Sequence, residues 1–107
     1  MSYSVNFTET AKQDLRQIMF YIVTKAQDKD VAHRFMNELR NKCDELKEMP
    51  NVGSLPKDHT LRSMEYRFIT HKDYLIFYKI DEMCKRVDVV AVFNAKKDYM
   101  RVMRRII

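Results

Sequence analysis

The fold is decided by Tyr74-Leu75-Ile76-Phe77-Tyr78 and Val87-Asp88-Val89-Val90-Ala91-Val92-Phe93, which lead into Asn94-Ala95-Lys96-Lys97-Asp98-Tyr99. The first two segments are rich in β-branched and aromatic residues, the composition that favours strands. The second run is apolar at nearly every position, so we expect it at the centre of a sheet. The third segment is basic, which predicts a cationic tip where the sheet ends.

An N-terminal strand and a helix are predicted ahead of these runs. Apolar and polar residues alternate from 3 to 7, the spacing of a strand with one buried face. Thr8 is a favourable N-cap, and apolar residues then recur at helical spacing from Ala11 to Ile22. A helix is therefore expected from Thr8 to about Lys25.

A second amphipathic helix is predicted after a short joint. Asp28 or Asp30 can cap it, Phe35 and Leu39 belong to its apolar stripe, and Pro50 lies beyond its end. Two amphipathic helices joined so closely pair as a helical hairpin, and such a hairpin buries its apolar stripes against one face of a sheet.

The remainder reads as sheet with a short terminal helix. Short strands are predicted at residues 61–63 and 66–70, stronger strands at 74–80 and 86–93, and a helix from Lys96 onward. The predicted fold class is α+β, with an antiparallel four- to five-stranded sheet packed by an N-terminal helical hairpin. The predicted element order is β-α-α-β-β-β-β-α.

The length and composition predict a single domain spanning residues 1–107. The chain has 46% hydrophobic and 33% charged residues, an ordinary globular balance that excludes a disordered or low-complexity class. The net charge is +5 and lies entirely in the second half: residues 1–53 hold 8 Lys+Arg and 8 Asp+Glu, whereas residues 54–107 hold 12 and 7. Nucleic acid or an acidic protein surface is the implied partner.

Several site classes are excluded by composition. Cys43 and Cys84 lack any Cys/His spacing that holds zinc, so we expect no metal, no cofactor and two reduced thiols in a cytoplasmic protein. Gly53 is the only glycine, which excludes a glycine-rich phosphate loop. No apolar run approaches the length of a membrane span, and the N-terminus does not resemble a targeting peptide.

Histidines and cations are the remaining chemical candidates. His33 in the second helix, His59 in a loop and His71 in a turn each lack a neighbouring nucleophile, so we interpret them as solvated side chains, with His71 the best exception. Cations interleave with tyrosines along the second half of the chain. In proteins that bind single-stranded RNA, such cations contact phosphates and such tyrosines stack on bases, but the same pattern is equally typical of half-buried strand tyrosines and solvated cations. These cations are Arg62, Arg67, Lys72, Lys79, Lys96, Lys97, Arg101, Arg104 and Arg105.

Five motifs taken together resemble the RelE/ParE superfamily of type II toxin-antitoxin toxins. The resemblance covers nearly the whole chain, and it rests on the order and spacing of motifs that are individually loose. The motifs are Thr8-x-x-Ala11-x-x-Asp14-Leu15-x-x-Ile18-x-x-Tyr21-Ile22, Pro50-x-x-Gly53, Leu61-Arg62, Tyr74-Leu75-Ile76-Phe77-Tyr78 and Lys96-Lys97-Asp98-Tyr99.

The resemblance implies a bacterial growth inhibitor that is neutralised by a cognate antitoxin encoded next to it, in the setting of toxin-antitoxin and plasmid-stabilization modules. Such antitoxins wrap the helical hairpin and the sheet, so a toxin–antitoxin hetero-oligomer is expected. Antitoxin segments of this kind are often disordered until bound. The residues expected to bind the antitoxin are Phe35, Leu39, Arg62, Tyr78 and Met103.

The superfamily includes ribosome-dependent mRNA endonucleases that use no metal. Members of that RelE-like branch have an arginine where this chain has Leu75, and lysines where it has Tyr66 and Phe68. Cleavage by 2′-OH attack needs a base and a cation that converge on the phosphate, and Leu75 supplies neither. If the chain is nonetheless a ribonuclease, the catalytic candidates are Arg62, Arg67, His71, Lys96, Lys97 and Tyr99.

The ParE-like branch, which poisons DNA gyrase without an enzymatic step, is the favoured reading. Tyr74 to Tyr78 and the Pro50-x-x-Gly53 turn are closer to that branch. Asn94-Ala95-Lys96-Lys97-Asp98 departs from the family pattern, where Arg commonly precedes Asp, so a non-toxic adaptor of the same fold is a further alternative. The residues expected to contact the target are Lys96, Lys97, Tyr99 and Arg101.

Overall fold

The computed structural model describes residues 2–107, with the elements in the order β-α-α-α-β-β-β-α. Two 3₁₀ turns, at Glu45–Lys47 and Pro50–Val52, lie between the second and third helices. The elements are β1 (Ser4–Phe7), α1 (Glu9–Ala26), α2 (Lys29–Asp44), α3 (His59–Ser63), β2 (Arg67–His71), β3 (Tyr74–Asp81), β4 (Arg86–Asn94) and α4 (Tyr99–Met103).

The predicted N-cap Thr8 is confirmed, and of the two candidates for the second helix, Asp28 is the cap and Asp30 lies inside the helix. The Ala11 amide donates to Thr8 Oγ1 at 3.2 Å, and the Asp30 amide donates to Asp28 Oδ1 at 2.9 Å. Gln27 adopts a left-handed conformation with φ 52°, which ends α1 and turns the chain into α2. The connection between α1 and α2 is therefore fixed by local hydrogen bonds and backbone conformation at Gln27 and Asp28.

The four strands lie in the order β1-β4-β3-β2, so β4 is central as expected. The prediction of an antiparallel sheet is wrong at β1, because β1 pairs with β4 in parallel and the sheet is mixed. Alternation within one strand identifies its buried face but carries no information on the direction of its neighbour. That direction is set by the segment between β1 and β2, which contains the helices and returns the chain so that β2 runs in the same direction as β1. The two antiparallel connections that follow then make β4 parallel to β1.

Residues 61–63 are helical, so the prediction of a strand there is wrong. Asp58 caps α3 by accepting a hydrogen bond from the Leu61 amide at 3.0 Å, and Leu61 is fully buried. Residues 61–63 contain one apolar residue, a pattern that is compatible with one turn of helix as well as with a short strand. The N-cap at Asp58 favours the helix. His59 consequently lies at the start of α3 and not in a loop.

Both faces of the sheet are covered. Val87, Val89 and Val92 pack with α1 and α2 on one face, as the predicted hairpin requires. Val90 and Phe93 pack with α3 and α4 on the other face. At the C-terminal end, Met103 is fully buried and Ile106 is partly buried in this second core, whereas Ile107 is exposed.

The loop at residues 50–53 is held against β3 by the Tyr78 side chain. The fully buried Tyr78 hydroxyl accepts from the Gly53 amide at 2.9 Å and donates to the Pro50 carbonyl at 2.5 Å. Arg67 Nη1 donates to the Gly53 and Asn51 carbonyls at 3.0 and 3.2 Å. A Cβ at position 53 would lie 2.8 Å from Tyr78 Cε1, so only glycine allows this approach.

We expect Tyr78→Phe to lower the free energy of unfolding by about 1–3 kcal/mol, because it leaves the buried Gly53 amide without an acceptor. Urea denaturation measures this change. Tyr66→Phe is the matched control: its ring is buried, and its hydroxyl has no hydrogen bond within residues 2–107. Equal losses in the two variants would contradict the role of the Tyr78 hydroxyl.

Alkaline pH should destabilise the fold partly through Tyr78. Burial raises the pKa of this phenol above its ordinary value of 10.0. The folded state therefore holds the proton more tightly, and stability present below about pH 10 is lost as pH rises through the folded-state pKa. Between about pH 8 and about pH 10.5, the free energy of unfolding should decrease less for Tyr78→Phe than for the wild type, because the variant lacks this phenol. Urea denaturation at the two pH values measures both decreases.

Candidate functional site

A basic groove of about 810 Å³ lies between α1, the end of β4 and α4. Val92 and Phe93 contribute its apolar floor, and its cations come from the chain after β4. The charged and aromatic side chains that define the basic groove are Asp14, Tyr21, Tyr74, Lys97, Asp98, Arg101 and Arg105.

One buried carboxylate joins the three elements that form this groove. Asp14 has a side chain only 7% exposed; its Oδ2 accepts from the Val92 amide at 3.0 Å. Arg105 Nη2 donates to both carboxylate oxygens, at 2.8 and 3.0 Å. Asp14 thus ties α1 to β4 and to the segment after α4. Asp14 was not among the expected site residues. The sequence signal for its role is a charged residue at a position within the apolar stripe of α1.

The turn between β4 and α4 presents the two lysines expected at the tip. Asn94 Oδ1 accepts from the Lys96 amide at 2.9 Å, and the Asn94 carbonyl accepts from the Lys97 amide at 3.0 Å. Asp98 then caps α4 by accepting from the Met100 amide at 3.1 Å. Asn94 therefore orders a tight turn from which both lysine side chains extend into solvent.

The structure brings only part of the expected target-binding set together. Lys97 and Arg101 both line the basic groove, whereas Lys96 is exposed at the tip outside its lining. Tyr99 faces the other way, because its ring stacks on Phe77 with centroids 6.1 Å apart in the core that α3 and α4 cover.

Tyr21 lines the basic groove at a position that was not among the expected site residues, and it is 55% exposed. Burial raises the pKa of Tyr74, which belongs to the same lining, so this phenol is neutral near pH 7. Phe20, which is 75% exposed, is the neighbour of Tyr21 in sequence but lies outside the lining of the basic groove.

The two non-cationic ribonuclease candidates lie on opposite faces of the sheet. His71 is on the helical-hairpin face, with its ring centroid 5.2 Å from that of Phe35 and its Nε2 3.5 Å from Glu38 Oε1. Tyr99 is on the face that α3 and α4 cover. A base at one of these positions and an acid at the other would be separated by the sheet.

The arginine candidates are bound to backbone carbonyl groups. Arg62 Nε donates to the Pro56 carbonyl at 3.1 Å. Arg67 donates to the loop at residues 50–53, as described above. Leu75, at the position where an arginine is expected in the RelE-like branch, is half-buried and packs against the core on the α3 and α4 face. The six catalytic candidates therefore do not form one constellation.

The residues expected to bind an antitoxin are mostly interior. Leu39, Tyr78 and Met103 are fully buried and Phe35 is 6% exposed, so in this conformation they offer almost no surface to a partner. Arg62 is the exposed member of the set. An apolar position in a stripe is far more often core than contact surface.

No group of His, Cys, Asp and Glu within residues 2–107 has the arrangement of a metal site. Burial raises the pKa of the Cys43 thiol to about 12, so this side chain is an inert core residue and not a nucleophile. None of the helices within the described chain is both long and apolar enough to span a membrane.

A family model described as "ParE toxin of type II toxin-antitoxin system, parDE" matches residues 5–99. The chain belongs to this family. Membership in the ParE toxin family accounts for the arrangement of a helical hairpin, a mixed sheet and a terminal helix, and it confirms the resemblance to the RelE/ParE superfamily. The protein is therefore a type II toxin-antitoxin toxin by family.

Solved structures share the fold of this ParE-family chain at low sequence identity. A chain of the chromosomal ParDE system from P. aeruginosa has a TM-score of 0.71 and 15% identity, covering 87% of this chain and 96% of that one. A mutant RelE toxin from E. coli in the free state has a TM-score of 0.65 and 20% identity, with full coverage of both chains.

A chain of the RelBE2 toxin-antitoxin complex from Mycobacterium tuberculosis has a TM-score of 0.63 and 19% identity, and the alignment covers 88% of this chain and 99% of that chain. Since both ParE-type and RelE-type structures match, the fold does not separate the two branches. No curated protein sequence gives a significant match.

Removal of the Asp14 carboxylate should cost more stability than removal of Arg105. Asp14→Ala leaves the Val92 amide without an acceptor and should lower the free energy of unfolding by about 2–3 kcal/mol. Arg105→Ala should cost about 1 kcal/mol, because its side chain is half exposed and water can replace it. Urea denaturation measures the loss in the free energy of unfolding for each variant, and Arg104→Ala, at an exposed arginine, is the control. Equal losses for Arg105→Ala and Arg104→Ala would refute a contribution of the ion pair to stability.

Proposed function

We propose that this protein inhibits bacterial growth by binding DNA gyrase, and that a cognate antitoxin encoded next to it neutralises it. Family membership supports the toxin part of the proposal. The choice of a protein target over mRNA cleavage rests on one observation, which is that the candidate catalytic side chains are dispersed. His71 and Tyr99 lie on opposite faces of the sheet, and Arg62 and Arg67 are hydrogen-bonded to backbone carbonyl groups.

RNA cleavage by 2′-OH attack requires a base near the hydroxyl and a cation near the developing phosphorane charge. His71 faces Glu38 under the helical hairpin, and Tyr99 is stacked in the opposite core. Leu75 occupies the position where the RNA-cleaving branch has arginine. A single bound phosphate could not reach these groups together.

The basic groove has the chemistry of a protein-binding surface. Lys97 and Arg101 supply positive charge at its rim, and neither makes a side-chain ion pair within residues 2–107. Tyr21, which is 55% exposed, supplies aromatic area within its lining. Arginine and aromatic anchors around a partly apolar floor are the residues that dominate affinity in protein interfaces. The groove therefore suits an acidic surface of a target protein.

We propose further that the antitoxin forms a hetero-oligomer with the toxin and keeps the basic groove from its target. Arg62 is the residue of the expected antitoxin-binding set whose side chain is exposed for such a contact. Leu39, Tyr78, Met103 and Phe35 would act indirectly, by shaping the surface that the antitoxin covers.

The proposal is tested by purified protein in a DNA gyrase supercoiling and cleavage assay. The wild type should inhibit supercoiling. Lys97→Glu combined with Arg101→Glu should weaken inhibition by at least about tenfold and relieve growth arrest, because charge reversal removes two interface cations. Lys29→Glu combined with Arg34→Glu, two exposed cations on α2, is the matched control and should stay near wild type.

Other outcomes would identify the alternatives. Unchanged gyrase activity together with new mRNA ends in primer extension would replace this mechanism with ribosome-dependent cleavage. Absence of growth arrest when the protein is expressed without a partner would indicate the non-toxic adaptor.

A further inference from the structure

The side chain of Arg105 is held in one orientation by three hydrogen bonds. Its Nη2 donates to both carboxylate oxygens of Asp14, at 2.8 and 3.0 Å, and its Nε donates to the Val102 carbonyl at 3.2 Å. Asp14 is itself fixed, because its side chain is only 7% exposed and its Oδ2 accepts from the Val92 amide. The guanidinium is a rigid planar group, so these contacts define its plane and the directions of its remaining donors.

One nitrogen of this guanidinium is left over. Within residues 2–107, Arg105 Nη1 makes no hydrogen bond, and the side chain is 47% exposed and belongs to the lining of the basic groove. A mobile surface arginine loses conformational freedom when it binds an anion, whereas Arg105 has already lost that freedom in the folded protein. The donors of Nη1 are therefore pre-oriented for an anion from outside the chain.

The charge of the basic groove favours one carboxylate over a polyanion. Three cations and two carboxylates line it, a net charge of +1. A single carboxylate balances that charge, whereas each further anionic group would be repelled by Asp14 and Asp98. Proteins that bind nucleic acid through its backbone neutralise several phosphates at once, which this lining cannot do.

The uncharged part of the lining suits a protein side chain. Val92 and Phe93 form an apolar floor, and Tyr21 adds exposed aromatic area. An aspartate or glutamate on a protein surface arrives with apolar neighbours that can pack on such a floor. A second copy of this chain is a poorer occupant, because each copy carries a net charge of +5 and like charges oppose association.

We propose that Arg105, oriented by Asp14, anchors a carboxylate side chain of the target protein in the basic groove, with Lys97 and Arg101 as flanking cations. Arg105 is then a binding residue, and Asp14 is a positioning residue that acts through it. This inference rests on the proposed function, and it names the chemical group of the target that the basic groove recognises. Neither residue was among the expected target-binding residues.

Replacement of Arg105 by lysine separates geometry from charge. Arg105→Lys keeps the positive charge but loses the planar group that contacts Asp14 and an external anion together. It should raise the protein concentration for half-inhibition of gyrase supercoiling by at least about tenfold. Arg104→Lys, at an exposed neighbour outside the lining of the basic groove, is the matched control and should change this concentration by less than about twofold. Circular dichroism at the assay temperature verifies that both variants are folded.

Asp14→Asn tests the positioning role by the sign of its effect. The amide oxygen of asparagine can still accept from the Val92 amide, and the variant leaves three cations and one carboxylate in the lining. If net charge alone attracted the target, inhibition would become stronger. Loss of the fixed orientation of Arg105 should instead weaken it by at least about threefold. The double variant with Arg105→Lys should be no weaker than Arg105→Lys alone, because both changes act through one side chain.

A zero-length carbodiimide cross-link identifies the group that the basic groove binds. The reagent joins lysine amines to carboxylates, so the wild type bound to gyrase should form an amide between Lys97 and an aspartate or glutamate of gyrase. Mass spectrometry of the cross-linked peptides locates that bond. Lys29, an exposed lysine on α2 outside the lining, is the control and should form no such link.

Inhibition that Arg105→Lys leaves at wild-type strength, or that Asp14→Asn strengthens, would overturn this inference and leave the proposed function intact. Binding of single-stranded DNA or RNA that depends on Arg105, without a cross-link from Lys97 to gyrase, would also overturn it, as would self-association that Arg105→Lys abolishes. Failure of the wild type to inhibit gyrase would refute the proposed target and this inference with it.

Discussion

Burial of β4 on both faces is the constraint on which the rest of this structure depends. Its run of valines, alanine and phenylalanine is covered by the helical hairpin on one side and by α3 and α4 on the other. A strand that is apolar on both faces is stable only when both are removed from water. The chain after β4 must therefore fold back over the sheet, and this return forms the basic groove.

The return is fixed by a polar interaction within an apolar interior. Asp14 accepts hydrogen bonds from the Val92 amide and from Arg105, so one carboxylate sets the positions of α1, β4 and the C-terminal segment together. A buried carboxylate without partners would be costly, which makes the geometry of this junction specific. The cations of the groove, Lys97 and Arg101, take their positions from that junction.

Two grooves of the molecule have different chemistry. The basic groove combines cations with the aromatic side chains of Tyr21 and Tyr74, whereas a second groove, between α1 and α2, combines the cations Lys12, Arg16, Arg40 and Lys47 with the methionines Met19 and Met36. The two linings share no residue, so a charge reversal in one of them leaves the lining of the other unchanged.

The sequence by itself determined the helical hairpin with a cap at Thr8, the central position of β4, and the absence of a cation at Leu75, because capping, periodicity and residue identity are local properties. For the second helix it left Asp28 and Asp30 as alternatives, and the structure has Asp28 as the cap. Tertiary structure alone decided the parallel pairing of β1 and the helical state of residues 61–63. It also decided that Arg62, Arg67 and Tyr78 make hydrogen bonds to backbone groups and that His71 and Tyr99 lie on opposite faces of the sheet. Those outcomes depend on which distant carbonyls and amides lie within hydrogen-bond reach, and no pattern along the chain encodes that distance.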